Sequence, residues 1–229
     1  RSISTAISEL KLKFSYGITG NDKIGDFRYL NLYSSGYNYY GNSGIIPTQI
    51  PNPDLKWETT NNMNAGFDLS LFKDRLSLST DFYLNKTTDL LLNRPLPGNS
   101  GFTSVSANVG ELENKGFDIQ LSAVILNGEL NWSTGVNFSL NRNKIVQLYE
   151  DQPILDQGRG GNAAIVGEPI GVFYMYESLG VDPSTGDLVF DDVNGDDQYT
   201  DVDRQVVGDP NPVFTGGFNN NISYKGFDL

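Results

Sequence analysis

The sequence predicts an all-β fold of long antiparallel strands, the pattern expected for a portion of a transmembrane β-barrel. First, about six segments alternate apolar and polar residues with a period of two. Second, the segments are close to the roughly 9–11 tilted residues that cross a bilayer and about twice the length of a globular strand. Third, the connections alternate between long and short, as they do between the two rims of an outer-membrane barrel.

The strand predicted at residues 76–87 shows the alternation most clearly. Its residues Leu76, Leu78, Phe82 and Leu84 fall on one face, whereas the intervening residues are mostly polar. The same pattern recurs along the chain, with Asn, Ser and Gly abundant on the polar face, which would suit a water-filled lumen. The six predicted strands span residues 9–19, 61–72, 76–87, 114–126, 129–142 and 213–224.

Three short turns separate strands on one side of the predicted sheet. They are Lys73-Asp74, Asn127-Gly128 and Lys225-Gly226. The Asn-Gly pair favours a two-residue type I′ turn, because both central positions of that turn need a positive φ. The connections on the other side are long and are predicted to be irregular, with short local elements in the third of them. These stretches are residues 20–60, 88–113 and 143–212.

The composition excludes several classes of chemistry. The chain has no Cys and no His, which removes disulfides, thiol nucleophiles, His-based triads and the commonest transition-metal ligand. Its net charge of −12 argues against a nucleic-acid partner. The chain begins without the apolar core of a signal peptide and ends in what resembles a further strand. We therefore interpret it as a fragment of a longer protein.

Residues 192–203 have the spacing of a calcium-binding loop. Residues 182–209 hold nine Asp residues and one basic residue, Arg204. Oxygen ligands at loop positions 1, 3, 5, 7, 9 and 12 are the EF-hand pattern, in which position 7 contributes its backbone carbonyl. Two departures are Asp197, where a calcium loop usually has Gly, and an Asp rather than a Glu at the last position. The predicted ligands are Asp192, Asn194, Asp196, Gln198, Thr200 and Asp203.

A solvated acidic turn held by Asx hydrogen bonds is the alternative for this loop. The repulsion between its closely spaced carboxylates favours a bound cation, either Ca²⁺ or Mg²⁺. The sequence therefore predicts possible Ca²⁺ binding and leaves Mg²⁺ and a metal-free turn open.

Other polar and aromatic residues carry weaker functional hypotheses. Tyr37, Tyr39 and Tyr40 would contact a sugar or a partner protein from a long loop, or else pack that loop against the barrel rim. Asp68, Asp81 and Asp118 would supply an acid–base pair in an enzyme, but lumen-lining residues explain them better.

Several segments resemble the C-terminal half of the barrel of SusC/RagA-type, TonB-linked outer-membrane transporters of Bacteroidota. They include LKLKFSYGITGNDKIGDF and NVGELENKGFDIQLSA, and they occur in the family's own order along nearly the whole chain. The segments are residues 10–27, 52–92, 108–123, 167–182 and 192–229.

This resemblance implies part of a plugged barrel of about 22 strands, a size class whose lumen is filled. Residues 1–229 would form a partial barrel domain, with residues 143–212 as an extracellular loop. The parent would import oligosaccharides or peptides across the outer membrane without being an enzyme. Its partners would be a SusD-type surface lipoprotein, membrane lipid and, through the missing N-terminal plug, the TonB complex.

Two other classes of function stay open at this stage. One is a soluble or surface β-rich, calcium-stabilised glycan-binding module, in which a second sheet would cover the apolar face. The other, more remote, is a fragment of a glycoside hydrolase.

Overall fold

The computed structural model describes residues 6–23, 25–155 and 161–229. Its main feature is a seven-stranded sheet whose strands follow one another in chain order and pair antiparallel. Among the described residues, no helix is long and apolar enough to cross a membrane. The strands of this main sheet are β1 (Ile7–Asn21), β4 (Glu58–Leu71), β5 (Leu76–Thr88), β8 (Glu111–Leu126), β9 (Leu130–Gln147), β16 (Thr215–Tyr224) and β17 (Phe227–Asp228).

The six predicted strands are confirmed, and so is the all-β fold class. The observed boundaries differ from the predicted ones by a few residues. The largest difference is in β9, which extends to Gln147 rather than residue 142, toward the third long connection. Strand β9 reaches 18 residues, far longer than a typical globular strand of about 5–6.

One face of the main sheet is apolar because the register preserves the alternation from strand to strand. In a single row across the sheet, Leu12 lies opposite Phe67, and Phe67 lies opposite Thr80. The row continues from Thr80 to Ile119 and then to Phe138. The register shifts in these pairings lie near strand ends, so each strand shows the same face through its middle.

The apolar face is open in the described part of the chain. Leu12 is 79% exposed, Phe14 71% and Phe218 67%. A second sheet packed on these rows, as in a soluble sandwich, would bury them. Three phenylalanines from successive strands and a fourth just before β16 form a row across this face, with neighbouring ring centroids 5.9, 5.8 and 5.5 Å apart. These are Phe82, Phe117, Phe138 and Phe214.

The short connections form turns of three different kinds. Lys225 and Gly226 both have positive φ, 48° and 88°, as a type I′ turn requires. The turn at Lys73-Asp74 is longer and begins with a third left-handed residue, Phe72. The type I′ turn predicted at Asn127-Gly128 is wrong, because strand β9 begins only at Leu130 and neither residue has a positive φ.

The prediction that the first two long connections are irregular is wrong, because each folds into a hairpin of its own. Residues 22–57 hold the hairpin β2 (Tyr33–Tyr39) and β3 (Asn42–Pro47). Residues 89–110 hold the hairpin β6 (Leu91–Pro95) and β7 (Ser104–Asn108).

The third long connection, residues 148–214, contains most of these extra strands. Four of them pair in the order β10-β11-β12-β15, and a separate hairpin joins β13 to β14. The predicted local elements in this stretch are thereby confirmed. The strands are β10 (Ile154–Leu155), β11 (Asn162–Ala164), β12 (Val172–Tyr176), β13 (Ser178–Val181), β14 (Leu188–Phe190) and β15 (Arg204–Gly208).

A glycine in β8 lets a tyrosine from β5 lie flat across the polar face. The hydroxyl of Tyr83 donates a hydrogen bond to Asn141 Oδ1 at 3.0 Å, passing over Gly116. A Cβ at Gly116 would lie 2.5 Å from the tyrosine oxygen and 2.2 Å from the carbonyl oxygen of Leu140. Position 116 therefore has no room for a side chain.

We predict that Gly116→Ala destabilises the full-length protein in detergent by about 1–3 kcal/mol, the usual cost of overpacking. The matched control is Gly135→Ala on the next strand, where the nearest atom would lie at an ordinary 3.7 Å. Thermal or denaturant unfolding of both variants measures the difference. Equal stability of the two variants would contradict the close approach of Tyr83 to Gly116.

Candidate functional site

The polar face of the main sheet carries a group of charges centred on Lys13. Its Nζ lies 2.8 Å from Asp68 Oδ1 and 2.9 Å from Asp81 Oδ2, so one ammonium bridges two carboxylates on β4 and β5. Ser79 donates to Asp68 at 2.7 Å and completes the group. All three charged side chains are about one-third exposed, so the group lines the polar face in contact with solvent.

Gly66 makes the bridge to Asp81 possible. In the register, Lys13 lies opposite Gly66, and Gly66 lies opposite Asp81. A Cβ at position 66 would come within 2.7 Å of Asp81 Oδ1. The glycine thus leaves the lysine free to cross one strand and reach the next.

Asp118 extends this row of polar side chains to β8. It lies directly opposite Asp81 in the register and accepts a hydrogen bond from the hydroxyl of Ser139. Within the described residues, ion pairs reach Asp81 but not Asp118. A shallow recess opens beside these side chains, and polar and apolar residues both line it. They are Ser79, Asp81, Asp118, Ile119, Gln120, Asn137, Phe138, Ser139, Thr215, Gly216 and Gly217.

The sequence predicted Asp68, Asp81 and Asp118 as separate lumen-lining residues and missed the lysine that contacts two of them. Lys13 bridges Asp68 and Asp81, which joins three strands through their side chains. The alternation of side chains along each strand indicates that these residues share one face of the sheet. The pairing of β1 with β4 was not predictable in register, because residues 22–57 separate the two strands.

The long connections are tied to one another at the opposite end of the sheet from the short turns. The side chain of Asn108 at the end of β7 donates to the carbonyl oxygens of Lys56 at 2.8 Å and Asp89 at 2.7 Å. Asn52 donates to the carbonyl of Ser106 at 2.9 Å. The first two long connections therefore pack as one layer.

The third long connection joins this layer through an aromatic contact and a small core. The guanidinium of Arg94 in β6 lies 4.6 Å from the ring centroid of Tyr149. Nearby in the chain, Ile145, Leu148 and Val172 are almost completely buried, unlike the apolar face of the main sheet. The long connections thus hold most of the conventional hydrophobic core of the described chain.

The predicted contact tyrosines lie at the tip of the β2–β3 hairpin. Tyr37 is half exposed within β2, and Tyr40 is 94% exposed in the turn, with a φ of 49°. Tyr39 is the last residue of β2, and its side chain lies outside the described part. Their role in sugar or partner binding remains a prediction.

The first half of the acidic loop folds as a chain of Asx turns. Asp192 Oδ2 accepts the N–H of Asp197 at 2.7 Å, and Asp192 Oδ1 accepts the N–H of Gly195 at 2.8 Å. Asn194 Oδ1 accepts from Asp196, and Asp196 Oδ1 in turn accepts from Gln198. Asp197, the residue in the usual glycine position, has a φ of 59°.

The second half of the loop ends in a buried carboxylate. Asp203 is 0% exposed, and its Oδ2 accepts the N–H of Thr200 at 2.8 Å and its hydroxyl at 3.2 Å. The backbone hydrogen bond from Thr200 lowers the pKa of this carboxyl below its ordinary value, although burial opposes the effect. Its other oxygen, Oδ1, is buried and has no donor in hydrogen-bonding geometry.

The six predicted metal ligands therefore lie on one closed loop between β14 and β15. In the part of the chain that the structure describes, no three His, Cys, Asp or Glu side chains form a group that could hold a metal ion. Carboxylates alone do not make a site here, and metal binding at this loop remains a prediction.

Long strands with one exposed apolar face, a polar face and long connections at one end define a portion of a transmembrane β-barrel. The chain belongs to the family described as "TonB dependent receptor-like, beta-barrel", which matches residues 8–228. This finding confirms the resemblance stated from the sequence.

Relatives and solved structures support the same assignment. The chain is 40% identical over 99% of its length to TonB-dependent receptor P3 of Formosa agariphila. It is 30% identical over 97% of its length to TonB-dependent receptor SusC of Bacteroides thetaiotaomicron. It also matches the structure of the RagAB peptide transporter, with 33% identity and a TM-score of 0.86 over 98% of the chain.

The chain spans about a quarter of the length of the proteins that it matches. It covers 25% of TonB-dependent receptor P3, 24% of SusC and 26% of the RagAB transporter chain.

We predict that Lys13→Met lowers the thermal midpoint of the full-length protein more than Lys11→Met does. Lys13 bridges Asp68 and Asp81, so its loss leaves two nearby carboxylates without their shared cation. Lys11 lies on the same face of β1 and makes no ion pair among the described residues.

A second substitution tests the mechanism. Asp81→Asn in the Lys13→Met background should recover part of the lost stability, because it removes one of the uncompensated charges. Equal midpoints for the Lys13 and Lys11 variants would show that the bridge does not hold the strands together.

Proposed function

We propose that this chain forms part of the barrel wall of an outer-membrane, TonB-dependent nutrient importer of the SusC/RagA type. The observation that carries the proposal is the division of one sheet into an exposed apolar face and a polar face over its full width. A soluble protein would need to cover the apolar face, whereas lipid covers it in a barrel.

The height of the apolar face supports this proposal. The outward side chains from Leu76 to Leu84 span about 27 Å along β5 at the usual strand rise. A tilt of roughly 40° reduces this to about 21 Å, close to the roughly 25 Å apolar band of outer-membrane barrels. Charged side chains follow at the upper end, where Lys86 pairs with Glu111 at 2.7 Å.

In this arrangement the polar face borders the lumen. The long connections, which pack together as one layer, face the cell exterior. The importer would carry oligosaccharides or peptides, work with a SusD-type surface lipoprotein and draw on the TonB complex through parts of the protein outside this chain. The match to a structure of a peptide transporter favours peptides as the first substrates to test. We propose a transport role rather than an enzymatic one.

Adjacent residues on β8 give a sharp test of the membrane orientation. Ile119 lies in the middle of the apolar face, and Gln120 lines the recess on the polar face. We predict that Ile119→Arg destabilises the membrane-inserted protein by about 2–4 kcal/mol, whereas Gln120→Arg is tolerated. Unfolding in lipid vesicles and the amount of protein in the outer-membrane fraction measure the effect. Tolerance of arginine at both positions would contradict a lipid-facing Ile119.

Deletion of the encoding gene tests the transport role. The deletion strain should lose uptake of labelled peptides or of labelled oligosaccharides, and a plasmid copy of the full-length gene should restore it. Growth on each nutrient as the only carbon source separates the two substrate classes. Unchanged uptake of both classes would overturn the proposal.

A further inference from the structure

A buried carboxylate oxygen without a partner lies inside the acidic loop. Asp203 is 0% exposed, and its Oδ1 has no donor in full hydrogen-bonding geometry, although the backbone amides of Val193 and Asn194 interact with the carboxyl. Leaving such an oxygen unmatched is costly, because burial removes the water that would otherwise solvate its charge. The backbone N–H of Thr200 donates a hydrogen bond to the other oxygen, Oδ2. The groups that interact with the carboxyl, including the amides of Val193 and Asn194, belong to the loop, so the carboxyl points into it.

The rest of the loop presents further oxygens with unused acceptor capacity. Asp192, Asn194 and Asp196 each accept backbone N–H groups within the loop. An ionised carboxylate has about four acceptor sites, so these bonds leave lone pairs available. The same hydrogen bonds fix alternate side chains on the loop, which is the arrangement that a calcium loop uses.

The ends of the loop are fixed by contacts outside it. Phe190 packs edge-on against Tyr199, with ring centroids 5.6 Å apart. Gln205 donates to Asp191 at 2.8 Å across the base of the loop. These two contacts therefore hold the ends of the loop in place.

Within the part of the chain that the structure describes, the carboxylates of the loop outnumber their basic partners. Arg204 pairs with Asp201 at 3.1 Å. Asp192, Asp196 and Asp203 make no ion pair among the described residues, so their mutual repulsion is relieved only by hydrogen bonds.

We propose that residues 192–203 bind one Ca²⁺ ion, with the unpartnered Oδ1 of Asp203 as a ligand. Amide, hydroxyl and carbonyl oxygens complete the shell beside the carboxylates, which suits a hard cation with six to eight oxygen ligands. Ca²⁺ accepts flexible geometry more readily than Mg²⁺ does. The ion links the end of β14 to the start of β15. The proposed ligands are Asp192, Asn194, Asp196, the carbonyl of Gln198, Thr200 and Asp203.

Calorimetric titration of the chelator-treated full-length protein in detergent tests the site. We expect Asp203→Asn to weaken Ca²⁺ binding by about tenfold or more, since it removes a charged ligand. The matched control is Asp201→Asn, which removes the same charge from a side chain that is 83% exposed. Equal loss of affinity in both variants, or no loss in either, would overturn the proposal.

Hydrogen exchange of the unsubstituted protein gives a second measurement that does not depend on a variant folding. Added Ca²⁺ should slow amide exchange in peptides covering residues 191–204, whereas peptides from the β2–β3 hairpin should not change. Mg²⁺ at the same concentration should protect less. Exchange in residues 191–204 that is unaffected by Ca²⁺ would contradict the site, whatever the calorimetry shows for other parts of the protein.

Discussion

The structure depends on one continuous hydrogen-bond register across its main sheet. Side chains in a strand alternate between faces, so a slip of one residue in any pairing would move a whole strand's apolar set to the other face. Here the pairings keep phase from Leu12 through Phe67 and Thr80 to Ile119 and Phe138. The ladder thus turns a weak periodic pattern in each strand into one wide apolar surface. A polar surface of equal width forms on the reverse side.

The polar surface and the long connections follow from that same register. Lys13 reaches Asp81 because Gly66 lies between them on β4, and Tyr83 reaches Asn141 because Gly116 lies between them on β8. All long connections leave the same end of the sheet, so they can pack together there. Their contacts with one another, rather than the main sheet, supply most of the buried apolar side chains.

The sequence alone predicted those parts of the fold that are determined by residues close together in the chain. Period-two patterning identified all six long strands, and Lys225-Gly226 identified a tight turn. The Asn127-Gly128 turn failed because Leu126 ends β8 after a register shift at Val124, which changes how the chain enters the turn. The hairpins of the first two long connections were missed because their strands are short, whereas short elements were predicted in the third connection. The Lys13 group was missed because Lys13 lies far in sequence from Asp68 and Asp81. Only the pairing of β1, β4 and β5 brings the three side chains together.

The central claim is that alternate residues of the long strands face lipid and water, and one measurement tests it directly. The chain has no cysteine, so single cysteines can be placed along β5 from Leu76 to Leu84 and spin-labelled, in a full-length background without other cysteines, reconstituted in lipid vesicles. Collision with oxygen, which is concentrated in lipid, should peak at the even-numbered positions. Collision with a water-soluble nickel reagent should peak at the odd-numbered ones. Labels that show no alternation, or that show both faces in water, would contradict the account.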